Sequence, residues 1–481
     1  MCSTVRRLFT ILALLGLCAV GGGSVYQAAA VERDYRSLVA RGDAALAAGQ
    51  TFEAIEAYSG AIGLRPASML AHLRRGETYR QRGDLEAAVR DFRRAATLDQ
   101  TATRPLEALG DALYERGRFG RAVETYEDRL RLDDASESVT YKLALARYRA
   151  GDLTGAITAV QQAISINNSR AESHYLLGLC LTDDSRPADA VVALEKAVAL
   201  SPGLIPAREE LVSLYARLDQ RNDELEELQT IAGLDRTRPE RHIELGLAQA
   251  RHGQAELAVL TLAQALDRPS GHALAYAALG RVWLDIAASR SETVPALERS
   301  VALGKAVEAL ERVAPMDEAS SEVMTLYGRA LLRNDQPDEA ARVLQQATRR
   351  YPVDPAAFLA YASVAERQNH LAEARGALIE YGTLVAEEPD FAARARHIGT
   401  LSMRLKDPAT ATTWFERAAS GRPGDIGLLV DLAAAQLATG RTSEAAATVE
   451  RGLERSPDNA RLVALAARAR RAPSLTTASD R

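Results

Sequence analysis

Histidines and paired carboxylates are the side chains of this chain that could bind a metal ion or move a proton. His72, His174 and His242 each precede a glycine by four residues. That shared offset favours a recurring packing position over a metal cluster, because the three residues belong to different units of a regular period. Asp133-Asp134 and Asp183-Asp184 fall near predicted helix ends, where solvated acids are common, and their spacing implies no partner acid or base.

The common catalytic signatures are missing from the sequence. It contains no HExxH, GxSxG, CxxCH or Walker-type GxxxxGK[ST] motif, and Gly304-Lys305 lacks the upstream glycine of a phosphate loop. Cys180 lies in an apolar segment and is typical of a small buried hydrophobe, with a reactive thiol as the alternative. We therefore expect no catalytic residue, no cofactor and no bound metal.

Tyrosines and leucines at helical spacing form the strongest candidate binding surface. Tyr141 and Tyr148 are seven residues apart, which places them on one helix face, and Tyr175 follows Tyr141 by 34 residues. We therefore expect these three tyrosines to form one contiguous aromatic patch. Tyrosine offers flat apolar area and a hydroxyl, which suits an interface anchor. The candidate partner-binding residues are Tyr114, Tyr141, Leu145, Tyr148, Tyr175 and Leu179. The alternative, in which some of them pack within or between neighbouring units, stays open at this stage.

These side chains must be positioned by elements that recur every 34 residues. Small residues occupy one position of the period at Gly42, Gly76, Gly110, Ala144, Gly178, Gly246 and Gly280. A second small series lies twelve positions further on, at Ala54, Ala88, Ala122, Ala156, Ala190 and Ala258. A period of this length is that of one helix-turn-helix unit. Two such helices approach closely only where neither carries a bulky side chain, so the two series mark the helix crossing.

The period resembles the tetratricopeptide repeat, whose signature runs large apolar, Leu, Gly, Tyr, then Ala, Phe, Ala and Pro at fixed offsets. In the first unit the matching residues are Leu38, Gly42, Ala54, Tyr58, Ala61 and Pro66. The resemblance covers roughly residues 35–457. It implies an all-α fold, namely a right-handed superhelical α-solenoid of about twelve helix-turn-helix repeats, and a C-terminal capping helix is expected after them.

The resemblance also implies a function. In this family the first helices of successive repeats line a concave groove that binds peptides or helices of partner proteins. A protein-interaction scaffold or adaptor without catalytic activity is therefore expected, and its partners are other proteins. The lysine-and-asparagine clamp that grips chaperone C-termini in some family members is not visible at the corresponding offsets, which disfavours that partner class.

The chain is expected to divide into four segments. They are a signal peptide or membrane anchor at 1–30, the solenoid at 35–457, a capping helix at 459–471 and a disordered tail at 472–481. Within the solenoid, the register of small residues jumps by 48 after Gly280, which predicts a 14-residue insertion around 289–305 in the eighth repeat. We expect limited proteolysis to cut first near Arg290 in that insertion.

The sixth repeat departs most from the pattern. It carries Val212 and Glu224 where small residues belong, and the stretch 219–227 is unusually polar. We expect looser packing in this repeat. Two interpretations remain, a tolerated degenerate repeat or a hinge between two sub-arrays, because repeat arrays are held together only by nearest-neighbour interfaces.

The N-terminus has the layout of a bacterial secretory signal peptide. Two arginines precede an apolar run from Leu8 to Val20, and three alanines ending at Ala30 offer a small-residue cleavage site. Cleavage after Ala30 is the first expectation. A retained anchor over 8–30 and lipid attachment at Cys18 are the alternatives. We expect an exported protein, periplasmic or secreted, which is membrane-anchored by residues 8–30 if the segment is retained.

Composition narrows the partner class further. The net charge is -5, and the 64 acidic residues outnumber the 59 lysines and arginines, so no nucleic-acid partner is expected. A membrane is expected to interact only with an uncleaved or lipidated N-terminal segment. The sequence therefore predicts a scaffold of the bacterial cell envelope. The alternatives are a membrane-tethered envelope assembly or secretion-system structural subunit and, more remotely, an enzyme with a cryptic site.

Overall fold

A computed structural model describes residues 26–268, 270–288, 296–385 and 390–471 of the chain. These residues form 25 α-helices and no strand, which confirms the all-α prediction. In the described part, no helix has the length and apolar character needed to cross a membrane. The apolar run of the leader, Cys18, Arg290 and the tail after Arg471 lie outside the described residues, and the predictions made for them stay predictions.

The helices fall into two compact units that divide between Ile231 and Ala232. In the first unit they are α1 (26–47), α2 (Thr51–Leu64), α3 (Met69–Gln81), α4 (Leu85–Leu98), α5 (Thr103–Glu115), α6 (Phe119–Leu132), α7 (Glu137–Arg149), α8 (Leu153–Ile166), α9 (Ala171–Asp183), α10 (Pro187–Leu200), α11 (Ile205–Arg217) and α12 (Arg221–Leu234). The last of these contains the division.

The second unit continues the same alternation of first and second helices. Its helices are α13 (Pro239–Arg251), α14 (Ala255–Leu266), α15 (His272–Ala288), α16 (Ala296–Glu311), α17 (Ser321–Arg333), α18 (Pro337–Ala347), α19 (Pro355–Arg367), α20 (Leu371–Leu384), α21 (Phe391–Arg404), α22 (Pro408–Gly421), α23 (Ile426–Ala438), α24 (Thr442–Arg455) and α25 (Ala460–Arg471). Odd-numbered helices from α1 to α23 are the first helices of the repeats, and even-numbered ones are the second.

The small residues of the period lie where the two helices of a repeat cross. A Cβ atom at Gly76 on α3 would come within 2.7 Å of the Phe92 ring on α4. In the second unit, a Cβ atom at Gly399 would come within 2.6 Å of the Phe415 ring. Because real Cβ atoms do not approach that closely, only glycine lets these helices meet at this distance. The predicted crossing is therefore confirmed at these glycines.

In eleven repeats of the described chain, a residue in the left-handed backbone conformation ends the first helix. Gly83 has φ +82°, and the Asp84 N–H donates to the Tyr79 carbonyl at 2.9 Å, which is the closing bond of a Schellman cap. Each of these residues lies seven positions after the crossing residue of its repeat. They are Gly49, Gly83, Gly117, Gly151, Ser185, Asp219, Gly253, Asp335, Asn369, Lys406 and Gly440. The two predicted series of small residues do not include these positions, although their glycines also recur every 34 residues.

The two irregular repeats differ from the others in specific ways. In the sixth, Glu224 stands at the crossing and is only 2 % exposed, and the two compact units divide within the second helix of this repeat. Whether this repeat is a hinge stays a prediction. In the eighth, α15 has 17 residues and α16 has 16, whereas α3 and α4 have 13 and 14. Gly280 still packs against Leu310 at the crossing of these longer helices.

The last helix, α25, packs against both helices of the twelfth repeat. Leu462 is fully buried, and its side chain fills the space where a Cβ atom at Gly452 would lie, 2.7 Å away. Leu465 is buried beside it, whereas Arg468, Arg470 and Arg471 belong to the basic last turn. The helix therefore covers apolar surface that the twelfth repeat would otherwise expose, as expected for a capping element.

Candidate protein-interaction surface

The 13-residue first helices present their fifth, ninth and twelfth residues on one face, because those positions lie about one turn apart along the helix. These positions fall three residues before, and one and four residues after, the residue at the crossing. On α5 they are Glu107, Asp111 and Tyr114; on α7, Tyr141, Leu145 and Tyr148; on α9, Tyr175, Leu179 and Thr182. All six predicted binding residues therefore lie on this stripe, and all are half-buried. We call Tyr114, Tyr141, Leu145, Tyr148, Tyr175 and Leu179 the tyrosine surface.

Ion pairs between charged side chains connect α7 to α5 at one edge of the tyrosine surface. The Lys142 ammonium lies 2.7 Å from Glu107 and 3.0 Å from Asp111. Asp111 also accepts a hydrogen bond from the Tyr126 hydroxyl at 2.7 Å. Burial opposes the charged form of Lys142, but its hydrogen bonds to the two carboxylates raise its pKa above the ordinary value. At this contact between neighbouring first helices, which we call a seam, each carboxylate therefore has a cation of the protein beside it.

Tyr114 ends the α5 stripe. Its ring meets the Phe119 ring edge-on, with centroids 5.2 Å apart and an interplanar angle of 61°. Phe119 is the first residue of α6, so this pair joins the two helices of one repeat. Edge-to-face packing of this kind adds to the stabilisation that burial of the rings supplies. Part of the Tyr114 ring is therefore occupied by packing within the protein.

Tyr141 takes part in packing between neighbouring repeats. The Arg170 guanidinium lies over its ring, 4.2 Å from the centroid, and Arg170 also pairs with Glu137 at 3.1 Å. Arg170 immediately precedes α9, so the stack joins the fourth repeat to the fifth. Burial raises the pKa of Tyr141. For this tyrosine, the packing alternative has direct support.

Tyr148 reaches across to the neighbouring first helix through its hydroxyl. It donates a hydrogen bond to Asp183 Oδ2 at 2.9 Å, from α7 to the last residue of α9. Burial, followed by that hydrogen bond, raises the pKa of Tyr148 to about 12. The ring is half-buried against the core that contains Cys180. Tyr148 thus has a fixed orientation and still offers part of its ring to solvent.

Tyr175 and Leu179 form the end of the tyrosine surface nearest α11. Tyr175 packs at the margin of the core cluster formed by α9, α10 and α11. Burial raises its pKa, and the nearby carboxylates of Glu210 and Glu209 on α11 raise it further. Glu210 itself has a raised pKa, from burial and then from Asp183 and Glu209. The apolar surface at this end is therefore bordered by carboxylates.

The structure brings the three principal tyrosines onto one stripe without bringing their rings into contact. Among the residues that the structure describes, no ring pair joins Tyr141, Tyr148 and Tyr175, and the recorded aromatic pair is Tyr114 with Phe119. The predicted contiguous aromatic patch is therefore a row of separate rings, connected to α9 through Arg170 and Asp183. Their role as partner anchors stays a prediction.

Sequence reasoning missed the part that carboxylates play on this surface. Asp183 is an exposed acid at the end of α9, as the sequence predicts, but its hydrogen bond with Tyr148 is not part of that prediction, and Glu210 is not among the predicted residues. The signal was present, because Asp183 follows Tyr148 by 35 residues, one repeat plus one position, which places it beside Tyr148 on the next first helix.

The histidines occupy packing positions. His72 and His174 are buried, and their Nε2 atoms lie 3.2 Å from the Pro66 carbonyl and 3.0 Å from the Asn168 carbonyl, each six residues earlier. Burial lowers the pKa of the half-buried His242. In the described ranges, no three His, Cys, Asp or Glu side chains form a metal-binding group.

A second buried network lies in the second repeat. Asp91 is 6 % exposed, and its carboxylate accepts from Arg75 at 2.7 and 2.8 Å and lies 3.2 Å from His72. Arg75 also donates to the Ser59 hydroxyl of the preceding repeat at 3.0 Å. These hydrogen bonds and the ion pair connect α2, α3 and α4, so we infer that the network stabilises the packing of the three helices.

Comparison with known families identifies the repeat. Models described as tetratricopeptide repeat match residues 39–103, 107–169, 141–205, 326–382 and 402–469. No curated protein matches the chain.

Solved structures with similar folds cover different shares of the chain. MamA from Desulfovibrio magneticus is 23 % identical over 35 % of this chain and 96 % of its own, with a TM-score of 0.34. YrrB, described as a TPR protein with an unusual peptide-binding site, is 20 % identical over 37 % of this chain and 93 % of its own, with a TM-score of 0.34. Yeast Tom70 is 13 % identical over 79 % and 99 %, with a TM-score of 0.38.

Proposed function

This chain belongs to the tetratricopeptide repeat family, and from that premise we propose that it is a non-catalytic scaffold that binds partner proteins through the tyrosine surface of its first unit. One observation carries the proposal. Six tyrosine and leucine side chains on three successive first helices are half-buried, so each keeps apolar area in contact with solvent. A partner that covers this area removes it from water, which favours binding.

The contacts behind the tyrosine surface favour binding because they hold it in shape. Tyr148 is oriented by Asp183, and α7 is braced on α5 by Lys142. Side chains that are already ordered lose little conformational freedom when a partner docks, so more of the contact energy appears as affinity. Tyrosine is also a residue type that is enriched among the energetically dominant residues of interfaces.

We also propose that the protein is exported to the cell envelope. The support is the arrangement of charge, apolar run and small residues in the first 30 positions. A membrane-tethered assembly or secretion-system subunit is the alternative within the envelope. Mass spectrometry of the mature N-terminus in fractionated cells distinguishes these two, because a scaffold released after Ala30 begins at Val31, whereas a tethered subunit retains residues 8–30 or carries lipid on Cys18.

Affinity capture tests the binding function. The full chain and two double variants serve as bait in envelope extracts. Tyr175→Ala/Leu179→Ala removes apolar area from the tyrosine surface, and Phe52→Ala/Val192→Ala removes comparable area from exposed positions on second helices. We expect specific partners to be lost with the first variant and retained with the second. Equal capture by all three baits would contradict a role for the tyrosine surface.

A further inference from the structure

The charges beside the tyrosine surface differ from one seam to the next, and the difference indicates which partner would fit. Resting on the proposed function, we infer that the surface takes a cationic amphipathic segment of a partner protein, with lysine or arginine side chains over the seam between α9 and α11 and apolar side chains on Tyr148, Tyr175 and Leu179.

At the seams N-terminal to this one, carboxylates on the first helices have cations of the protein beside them. Glu77 on α3 pairs with Arg104 on α5 at 2.7 Å. Glu115 pairs with Arg80 at 3.2 Å, and Lys142 lies between Glu107 and Asp111. A partner cation would gain little at these seams, because the negative charge is already neutralised at contact distance.

The seam between α9 and α11 has a different balance. Asp183 accepts a hydrogen bond from Tyr148, a neutral donor, and the Arg186 guanidinium pairs with Asp184 and Asp189 and not with Asp183. In the part of the chain that the structure describes, no arginine, lysine or histidine lies within ion-pair distance of Asp183 or Glu210. Burial and the mutual repulsion of Asp183, Glu209 and Glu210 raise the pKa of Glu210. A cation placed here would relieve that repulsion.

The apolar part of the surface adjoins these carboxylates. Tyr175 lies close enough to Glu209 and Glu210 for their charges to raise its pKa, and Leu179 is one helical turn further along α9. An acidic segment would meet like charge at this place, and an uncharged apolar segment would leave Asp183 and Glu210 without a cation. A cationic amphipathic segment satisfies both chemistries, because it buries the tyrosine and leucine area and also pairs with the carboxylates.

Fluorescence anisotropy with the full chain tests the inference. The probes are three labelled synthetic peptides of equal length: one of lysine and leucine at helical spacing, one with glutamate in place of each lysine, and one with serine in place of each leucine. We expect the lysine-leucine peptide to bind, and its affinity to fall with added salt because exposed charges are screened. The other two peptides should bind at least about tenfold more weakly, which corresponds to about 1.4 kcal/mol.

Matched variants locate the binding site. Asp183→Asn/Glu210→Gln removes two charges at the α9–α11 seam, and Glu53→Gln/Glu124→Gln removes two exposed charges on second helices. We expect about tenfold weaker binding for the first variant and unchanged binding for the second. Equal losses in both variants would mean general attraction to an acidic protein and would overturn the inference. Tight binding of the glutamate peptide, or no binding of any probe, would also overturn it.

Failure of this inference is distinguishable from failure of the proposed function. If the capture experiment shows partners that are lost with Tyr175→Ala/Leu179→Ala while the lysine-leucine peptide does not bind, the scaffold function stands and the cationic partner class is wrong. If neither experiment depends on the tyrosine surface, both fail. Circular dichroism and denaturant melts of each variant confirm that lost binding does not reflect unfolding.

Discussion

The two units share one packing scheme but present different chemistry on the stripe of their first helices. In the first unit the stripe of α7 carries Tyr141, Leu145 and Tyr148. Counted from the crossing residue, the corresponding positions of the second unit carry Arg281 on α15, Arg329 on α17 and Arg396 on α21. No tyrosine occupies these positions on the described first helices there, and Tyr276 on α15 lies one residue outside them.

Several arginines of the second unit form ion pairs with carboxylates of the adjacent repeat. Arg281 pairs with Glu322 on the next first helix, Arg396 pairs with Asp431 at 2.7 Å, and Arg404 pairs with Glu366 at 3.1 Å. Each of these pairs joins one repeat to the next. The crossing positions therefore define the fold in both units, while the stripe makes inter-repeat contacts in the second unit and carries the proposed binding surface in the first.

The largest expected effect concerns a contact that belongs to the first unit. Asp91→Ala leaves the Arg75 and His72 side chains without their carboxylate, and breaking a buried ion pair of this kind costs about 3 kcal/mol or more. The same repeat position in the ninth repeat holds Val343, so Val343→Ala is the matched change in the second unit, with an expected cost of about 1 kcal/mol. Urea melts that show equal costs for the two variants would contradict this difference.

The next effect should be common to both units. Gly76→Leu and Gly399→Leu force a side chain against Phe92 and Phe415 at the crossing, and each should destabilise its unit by about 1 to 3 kcal/mol through overpacking. Gly376→Leu on α20 is the control, because a Cβ atom there meets nothing within 4 Å, and its effect should stay within about 0.5 kcal/mol. Similar melts for all three variants would mean that the crossing glycines do not limit packing.

Substitutions on the stripe of the first unit should weaken partner binding, whereas substitutions on the stripe of the second unit should not. Tyr175→Ala should weaken binding of a captured partner by about 1 to 2 kcal/mol and leave the melt nearly unchanged. Arg281→Ala on the stripe of the second unit removes the ion pair with Glu322 and should leave binding unchanged. Tyr141→Ala should lower stability, because it removes the ring beneath Arg170. If Tyr141→Ala affected binding alone, the packing role assigned to this ring would be wrong.

The smallest expected effect is a pH dependence from the first unit. Burial raises the pKa of Cys180 to about 12, well above the value of about 8.5 in an unfolded chain. Its contribution to stability is therefore complete below about pH 8.5 and is lost as pH rises toward 12. At pH 9 the loss should be about 1 kcal/mol. In a Cys2→Ser/Cys18→Ser background, Cys180→Ala should lack this component between pH 7 and 9, and identical pH profiles would contradict the assignment.

The prediction from sequence was strongest where the physics is local and repeated. Glycine and alanine series predicted the helix pairs and their crossings, because close approach admits few residue types at those positions. The left-handed turn series at Gly83 and its equivalents was missed, since Ser185, Asp219, Asp335, Asn369 and Lys406 also adopt that conformation and hide the pattern. The site was predicted as a set of positions, without the partners that each side chain would take.

Periodicity alone is enough to predict that the chain is a helical repeat, which residues pack at the crossings and which tyrosines share one stripe. The contacts that those tyrosines make within the protein are known from the folded chain. Tyr141 is stacked by Arg170, Tyr148 is bound to Asp183, and Tyr175 faces the carboxylates of α11. These contacts cross between repeats, so they depend on how each repeat is placed against the next, which no single period of the sequence encodes.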